Sequence, residues 1–335
     1  MKPEIRIAVT GGRGKSGVTR LIHAGLAACG LRVRSRITGV LPRELSRDGE
    51  RAIMRSGAAS AYEAGWWFRR LPQDTQAVVC ENSAVTPALQ GLLPAFIAPS
   101  VTVLTNTALD HTELWGADET SVLRALSEAL PRGGKVVLPE ALAVRLDMRL
   151  LAEERALSLF PVAPDPSLPH PFSINIALAL AACFLSGADE AVARAAMESL
   201  PPDIADSCII ETGGAQLAFA FSINDLQSTE SYFTQLGWEV RDTVCLYNHR
   251  ADRSARFDAF YPWMKTAAWR EVQIIGDRPP RLRDKYVPLC GTAAFEALVI
   301  KNKKSFGCGN TVYGLPLEFK LETEAGKKMR GIDGR

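Results

Sequence analysis

The chain has 335 residues, of which 47% are hydrophobic and 23% charged, and carries a net charge of +2. This is the composition of a globular protein with one large or two moderate domains, and the near balance of charge excludes nucleic acid as the main partner. No apolar run reaches the length of a membrane span, since the nearest, Ile174 to Leu185, is short and patterned as a helix. Any membrane association is therefore expected only through a partner, and a homo-oligomer stays open. Seven cysteines without CxxC spacing read as small buried hydrophobes in a reducing compartment. With a strand beginning almost at the first residue and no signal peptide expected, the anticipated location is cytoplasmic.

The first element is a short apolar strand, Ile5–Val9, which runs into Gly11-Gly12-Arg13-Gly14-Lys15-Ser16-Gly17. A helical pattern follows, with Val18, Leu21, Ile22, Gly25, Leu26 and Cys29 on one face. Strand, glycine-rich turn, Lys-Ser and helix N-terminus together make the context of a phosphate-binding loop. The glycines and Arg13 let backbone N–H groups reach phosphate oxygens, and the helix dipole adds partial positive charge. Lys15 would reach the outer phosphates and the Ser16 hydroxyl would face Mg2+. A tight glycine turn beside a solvated lysine is the bland alternative, and the context outweighs it. The chain is expected to bind ATP.

Further buried strands are expected at Ala77–Cys80, Val101–Thr105 and Lys135–Leu138, with helices between them. That alternation predicts a parallel α/β sheet covered on both faces, with functional residues at the carboxyl ends of its strands. Glu81 follows the first of these strands, where a carboxylate can hold Mg2+ opposite Ser16; a capping acid is the alternative. Asn106 ends the next strand and joins the nucleotide-binding set, followed by Asp110-His111. His111 there is a candidate ligand for a second divalent ion, set against an ordinary hydrogen-bonded histidine. Asn175, on an alanine-rich helix, can pair with both edges of adenine. Arg34, Arg36 and Arg43 are spaced on a strand and the following loop, as for an acidic substrate or as ordinary surface residues.

Pro201-Pro202-Asp203 is a plausible hinge. It divides the chain into a P-loop ATP-binding domain, 1–200, and a smaller α/β domain, 201–335, that would close over ATP. Expected strands in the smaller unit are Gln216–Phe221, Val244–Tyr247 and Val272–Ile275, in a segment short for a large core of its own. Asp225 opens a helix, either as an N-cap or on the ATP ribose. Asn248-His249-Arg250-Ala251-Asp252-Arg253 follows a strand, and its Arg250 and Arg253 suit carboxylate or phosphate oxygens. The tail Glu324–Arg335 is expected to fray.

Thr10–Ser16, Glu81, Asn106 with Asp110-His111, and Asn175 resemble the ATPase core of the Mur ligases, a group that includes folylpolyglutamate synthase and cyanophycin synthetase. Gly11–Arg20, Ile37–Arg43, Asn224-Asp225 with Ser228-Thr229, Asn248–Arg253 and Gly307–Asn310 resemble more closely the ligase subunit of capsule-type poly-γ-glutamate synthase. The resemblance spans residues 5 to about 310. It implies a Mur-ligase-like central ATPase domain with a parallel sheet, a smaller C-terminal α/β domain, and an ATP- and Mg2+-dependent acid–amino-acid ligase. In that ligase Lys15, His111, Arg250 and Arg253 act at the reacting groups. Ser16, Glu81 and His111 hold the metal, Asp225 and Asn175 the nucleoside, and the substrate is glutamate or a similar acidic amino acid. Three departures bear on this. The P-loop falls in the first strand, without a preceding UDP-binding domain, so a nucleotide-sugar substrate is not expected. The helix after His111 offers Arg124 but no lysine for carbamoylation before Lys135. Gln227 stands near the place of a lysine that follows the aspartate in other Mur ligases. Two other readings are a ligase joining an amino acid to a small metabolite, and a P-loop ATPase that works as a nucleotide switch.

Overall fold

The computed structural model describes residues 2–39, 41–54, 59–109, 111–168, 172–203, 206–223, 225–311 and 314–332, with side chains through Thr323. The chain divides into two compact units, Met1–Pro201 and Pro202–Arg335.

The first unit is built on a sheet of eight strands. They are β1 (Ile5–Thr10), β2 (Val33–Ile37), β3 (Arg43–Ser46), β4 (Gly49–Ala52), β5 (Ala77–Glu81), β6 (Val101–Leu104), β7 (Lys135–Pro139) and β8 (Ser158–Val162). Their order is β4-β3-β2-β5-β1-β6-β7-β8. From β2 to β8 every neighbouring pair is parallel. β5 and β6 are buried along their whole length, as are the last four residues of β1, which explains their unbroken apolar sequence. The helix Lys15–Ala28 packs Val18, Leu21, Ile22 and Leu26 into one core with Ile176, Ala179 and Leu180 of the helix Phe172–Phe184. Burying each large aliphatic side chain stabilises the fold by roughly 1.5–3 kcal/mol.

One edge departs from the expected parallel sheet. β2, β3 and β4 pair antiparallel. β3 and β4 are short polar strands, Arg-Glu-Leu-Ser and Gly-Glu-Arg-Ala, and β4 is exposed throughout. An edge strand with no buried face leaves no apolar period to read. Arg36 and Arg43 are not part of a free cationic face. Arg36 is 2% exposed and paired with Glu63, and Arg43 is 3% exposed with its Nε 2.8 Å from Glu50.

His23 on the helix Lys15–Ala28 bonds the buried Ser35 hydroxyl through Nδ1 at 2.8 Å. Burial lowers its pKa from 6.5 to about 4. The unfolded chain then takes up a proton that the folded chain refuses between these two values, so this contribution to stability is lost as pH falls from about 6.5 toward 4. The loss amounts to about 3 kcal/mol by pH 4. Denaturant midpoints of the wild type and His23→Gln, measured at pH 7.5 and 4.5, should show a shallower acid loss in the variant. Parallel losses would remove His23 as the cause.

The second unit carries β9 (Cys208–Thr212), β10 (Ala215–Phe219), β11 (Val244–His249), β12 (Glu271–Gly276) and β13 (Lys304–Gly309), in the order β12-β11-β13-β10-β9. All pairs are parallel except β9 with β10. This unit buries more than its length suggests. One cluster holds Phe219, Phe221, Phe295 and Phe319, and the other Phe233, Tyr247, Phe257, Phe260 and Phe306. Large rings supply the area that a short chain lacks. Of the C-terminal segment expected to fray, residues 324–332 continue the helix Leu315–Ile332, and the last three lie outside the described residues. Its Glu, Lys, Ala, Leu and Met residues favour that state.

Candidate active site

The site begins where β1 ends. Register pairs Val9 with Glu81 on one side and Thr10 with Leu104 on the other, so the carboxyl ends of β1, β5 and β6 adjoin. The chain leaves β1 toward β2 on one side of the sheet and returns for β6 on the other. That reversal opens a crevice above β1, the position where open α/β sheets bind ligands.

The loop Gly11–Gly14 fills the turn between β1 and the helix Lys15–Ala28. Gly14 caps that helix in the left-handed region, with φ 79°. A Cβ on Gly12 would lie 2.4 Å from the Ala108 carbonyl oxygen, so only glycine lets the loop approach the segment after β6. Asn106 holds the loop from that segment. Its Oδ1 accepts from Arg13 N at 3.0 Å and its Nδ2 donates to Arg13 O at 3.1 Å. Gly12 N donates to Asn106 O at 3.1 Å, and the Thr105 hydroxyl donates to Arg13 O at 2.6 Å. Asn175 approaches the other face, with Oδ1 3.1 Å from where a Gly14 Cβ would stand and Nδ2 3.8 Å from that of Gly17. The Lys15 ammonium donates to Gly11 O at 2.7 Å and Gly12 O at 3.2 Å, which sets its charge on the loop's rim.

Beside the loop, three oxygen-bearing side chains meet. Ser16 Oγ donates to Glu81 Oε2 at 2.7 Å, and Thr38 Oγ1 donates to Glu81 Oε1 at 3.1 Å. Glu81 is 4% exposed. A buried carboxylate with two hydroxyls is a set of hard oxygen donors, which suits a small divalent cation such as Mg2+. Thr38 was not singled out from the sequence. It lies 43 residues from Glu81, and only the parallel pairing of β2 with β5 brings them together.

His111 sits on the segment after β6, in the left-handed region at φ 46°. Its ring meets Trp115 edge-on at 5.2 Å, and Nδ1 lies 3.7 Å from Glu113 Oε1. Trp115 in turn donates to Val85 O at 2.5 Å, tying the segments after β5 and β6 together. Asp110, its expected neighbour, lies outside the described residues. Among the described residues there is no group of three or more His, Cys, Asp or Glu side chains that could hold a metal.

In the second unit the expected residues stand at the carboxyl ends of the parallel strands. Asp225 caps the helix Leu226–Gln235, accepting from Ser228 N at 2.8 Å. Arg250 and Asp252 form a fork, with Nε–Oδ1 3.0 Å and Nη2–Oδ2 2.6 Å, which holds the Asp252 carboxyl below its usual pKa. Arg253 is the N-cap residue of the helix Ser254–Thr266.

Residues 209–322 match the family model described as the poly-gamma-glutamate synthase CapB C-terminal domain. The capsule biosynthesis protein CapB of Bacillus anthracis is 26% identical, with 98% of this chain and 79% of that protein covered. The chain is homologous to CapB. The PGA synthase CapB of Bacillus subtilis (strain 168) is 24% identical over 76% of this chain and 70% of its own length. Among solved structures, E. coli FolC in complex with DHPP and ADP superposes with a TM-score of 0.70. It is 17% identical and covers 97% of this chain and 90% of that one. The fold is thus that of the FolC and folylpolyglutamate synthase structures, as the sequence motifs imply. Among the described residues no helix is long and apolar enough to cross a membrane.

Within the stretch matched to the CapB C-terminal domain, Asn248 and Asn310 lock β11 to β13. Asn248 Nδ2 donates to Asn310 O at 2.6 Å, Asn310 Nδ2 donates to Asn248 O at 2.9 Å, and Arg256 donates to Asn310 Oδ1 at 2.8 Å. Both asparagines are nearly fully buried. Asn248 and Asn310 carried part of the resemblance, whereas nothing in the sequence marked Arg256, whose role depends on how its helix packs.

Proposed function

We propose that the chain is an ATP-dependent, ADP-forming ligase that joins a carboxylate to an amine through an acyl phosphate. The carboxylate substrate is glutamate or a similar acidic amino acid, the chemistry named by the poly-gamma-glutamate synthase family model that residues 209–322 match. The observation that bears most weight is the joint geometry of the first unit. A glycine loop fixed by Asn106 lies beside a Ser16–Thr38–Glu81 oxygen set at the carboxyl ends of adjoining strands.

Each residue then has a task. Backbone N–H groups at the start of the helix, from Gly14 to Ser16, would take the phosphates, those of Gly12 and Arg13 being held by Asn106, and Lys15 would take the charge that develops on the transferred phosphoryl group. Ser16 and Glu81, with Thr38, would hold Mg2+, which when bound neutralises phosphate oxygens. His111 would extend that metal site, and Asn175 and Asp225 would orient the nucleoside. Arg250 and Arg253 would bind phosphate or carboxylate oxygens. Residues 1–200 form the ATP-binding domain, and 201–335 close over the nucleotide so that water does not consume the acyl phosphate. We place the reaction in the cytoplasm, with any membrane contact made through a partner.

ATP consumption with Mg2+ and hydroxylamine, over a panel of carboxylic acids that includes glutamate, tests this reading. Hydroxylamine captures an acyl phosphate as a hydroxamate, so the expected result is a hydroxamate signal that depends on one acid. ATP hydrolysis that ignores every acid would favour the nucleotide switch instead.

A further inference from the structure

Asn106 fixes the phosphate-binding loop, and what fixes Asn106 lies behind it. Along the segment after β6 the side chains alternate. Thr105 and Asn106 face the loop, both bonding Arg13 O. Thr107, 4% exposed, turns the other way. Its hydroxyl donates to Glu119 Oε2 at 3.1 Å and accepts from Arg145 Nη1 at 3.1 Å.

Arg145 is the centre of this second layer. Its fork grips Asp147, with Nε–Oδ1 3.0 Å and Nη2–Oδ2 2.6 Å, and Nη1 also pairs with Glu119. Asp147 Oδ2 accepts from the Thr120 hydroxyl at 2.9 Å. Glu119 and Thr120 open the helix Glu119–Leu126, while Arg145 caps the helix Leu146–Arg155. Two helix N-termini are thus clamped through one guanidinium onto a single buried threonine next to Asn106. The pairing holds the Asp147 carboxyl low and the guanidinium high, and each shift is led by the hydrogen bonds between them.

An isolated ion pair at this exposure contributes little to stability. This cluster is different in that its fork geometry ends on a backbone segment that carries the loop's own fastener. We infer that Arg145, acting through Thr107, is a positioning residue for nucleotide binding: it sets where Asn106 presents Arg13 and the phosphate-binding loop. The inference rests on the nucleotide reading above and adds to it a residue that touches neither nucleotide nor metal.

Calorimetric titration of the full chain with ATP and Mg2+, alongside thermal melting, tests it. Thr107→Val keeps the shape of the side chain and removes the hydroxyl, and Arg145→Ala removes the clamp. Each is expected to raise the Kd for MgATP about tenfold, the effect of losing one hydrogen bond to a charged group. Arg145→Lys keeps the charge without the fork and should fall between. Arg132→Ala, at an exposed arginine 3.9 Å from Glu154, removes a comparable surface pair without touching the segment and should leave Kd unchanged. Wild-type affinity in Thr107→Val and Arg145→Ala, even with lowered melting points, would overturn the inference and leave the nucleotide reading standing. Equal weakening in Arg132→Ala would overturn it as well, because the effect would then be global. A wild type that binds no nucleotide would remove both.

Discussion

Lys15→Ala is expected to reduce ATP turnover by on the order of 10^3-fold, about 4 kcal/mol of transition-state stabilisation, while the protein stays folded. The two halves of that statement have separate grounds. The ammonium rests on the carbonyls of Gly11 and Gly12, within its own loop, so its removal takes little from the core. A stability change within about 1 kcal/mol is expected from such a half-exposed side chain. Its charge, by contrast, stands on the rim of the loop where phosphoryl oxygens would gather negative charge. Lys15→Arg should not restore turnover, because a planar fork cannot occupy the place of a compact ammonium. Turnover by a folded Lys15→Ala protein at wild-type rate would show that the loop is a structural turn.

Much of this arrangement was legible in the sequence because its signals are local. Ile5–Val9, the glycine run and the following helix announce one another within twenty-five residues. Glu81 and Asn106 could be placed because buried parallel strands end in unbroken apolar runs. What could not be read depends on pairing across the sheet. Thr38 reaches Glu81 because β2 lies beside β5, and no spacing along the chain reveals that order. Arg36 and Arg43 looked like a cationic surface, yet both are buried against glutamates, Arg43 against Glu50 across the antiparallel edge of β3 and β4 and Arg36 against Glu63 at the start of the helix Glu63–Arg69. Arg145 was invisible for the same reason, since it lies 38 residues beyond the threonine it clamps. Asp225 shows a different limit. Its N-cap bond to Ser228 is the reading that sequence alone already offered.

Glu81→Gln should separate a metal-holding carboxylate from a mere anchor for two hydroxyls. The substitution keeps the shape and one acceptor oxygen, and the hydroxyl that faced the other oxygen can turn to accept from the new amide N–H, so both contacts to Ser16 and Thr38 can persist. It removes one negative charge from a nearly dry position, where charge acts at lower effective dielectric than in water. Without divalent ions, ATP should bind the variant at least as tightly as the wild type, because a carboxylate no longer faces the phosphates. With Mg2+ the order should reverse. The variant should gain little affinity from the metal and need on the order of tenfold more Mg2+ for half-maximal turnover, about 1.4 kcal/mol of lost coordination. The opposite signs of these two effects are what a purely structural glutamate would not produce. A carboxylate that only anchored Ser16 and Thr38 would, on substitution, change affinity in the same direction with and without the metal. Titrating ATP in chelator and then in Mg2+ therefore decides which role Glu81 plays, independently of the substrate that the enzyme phosphorylates.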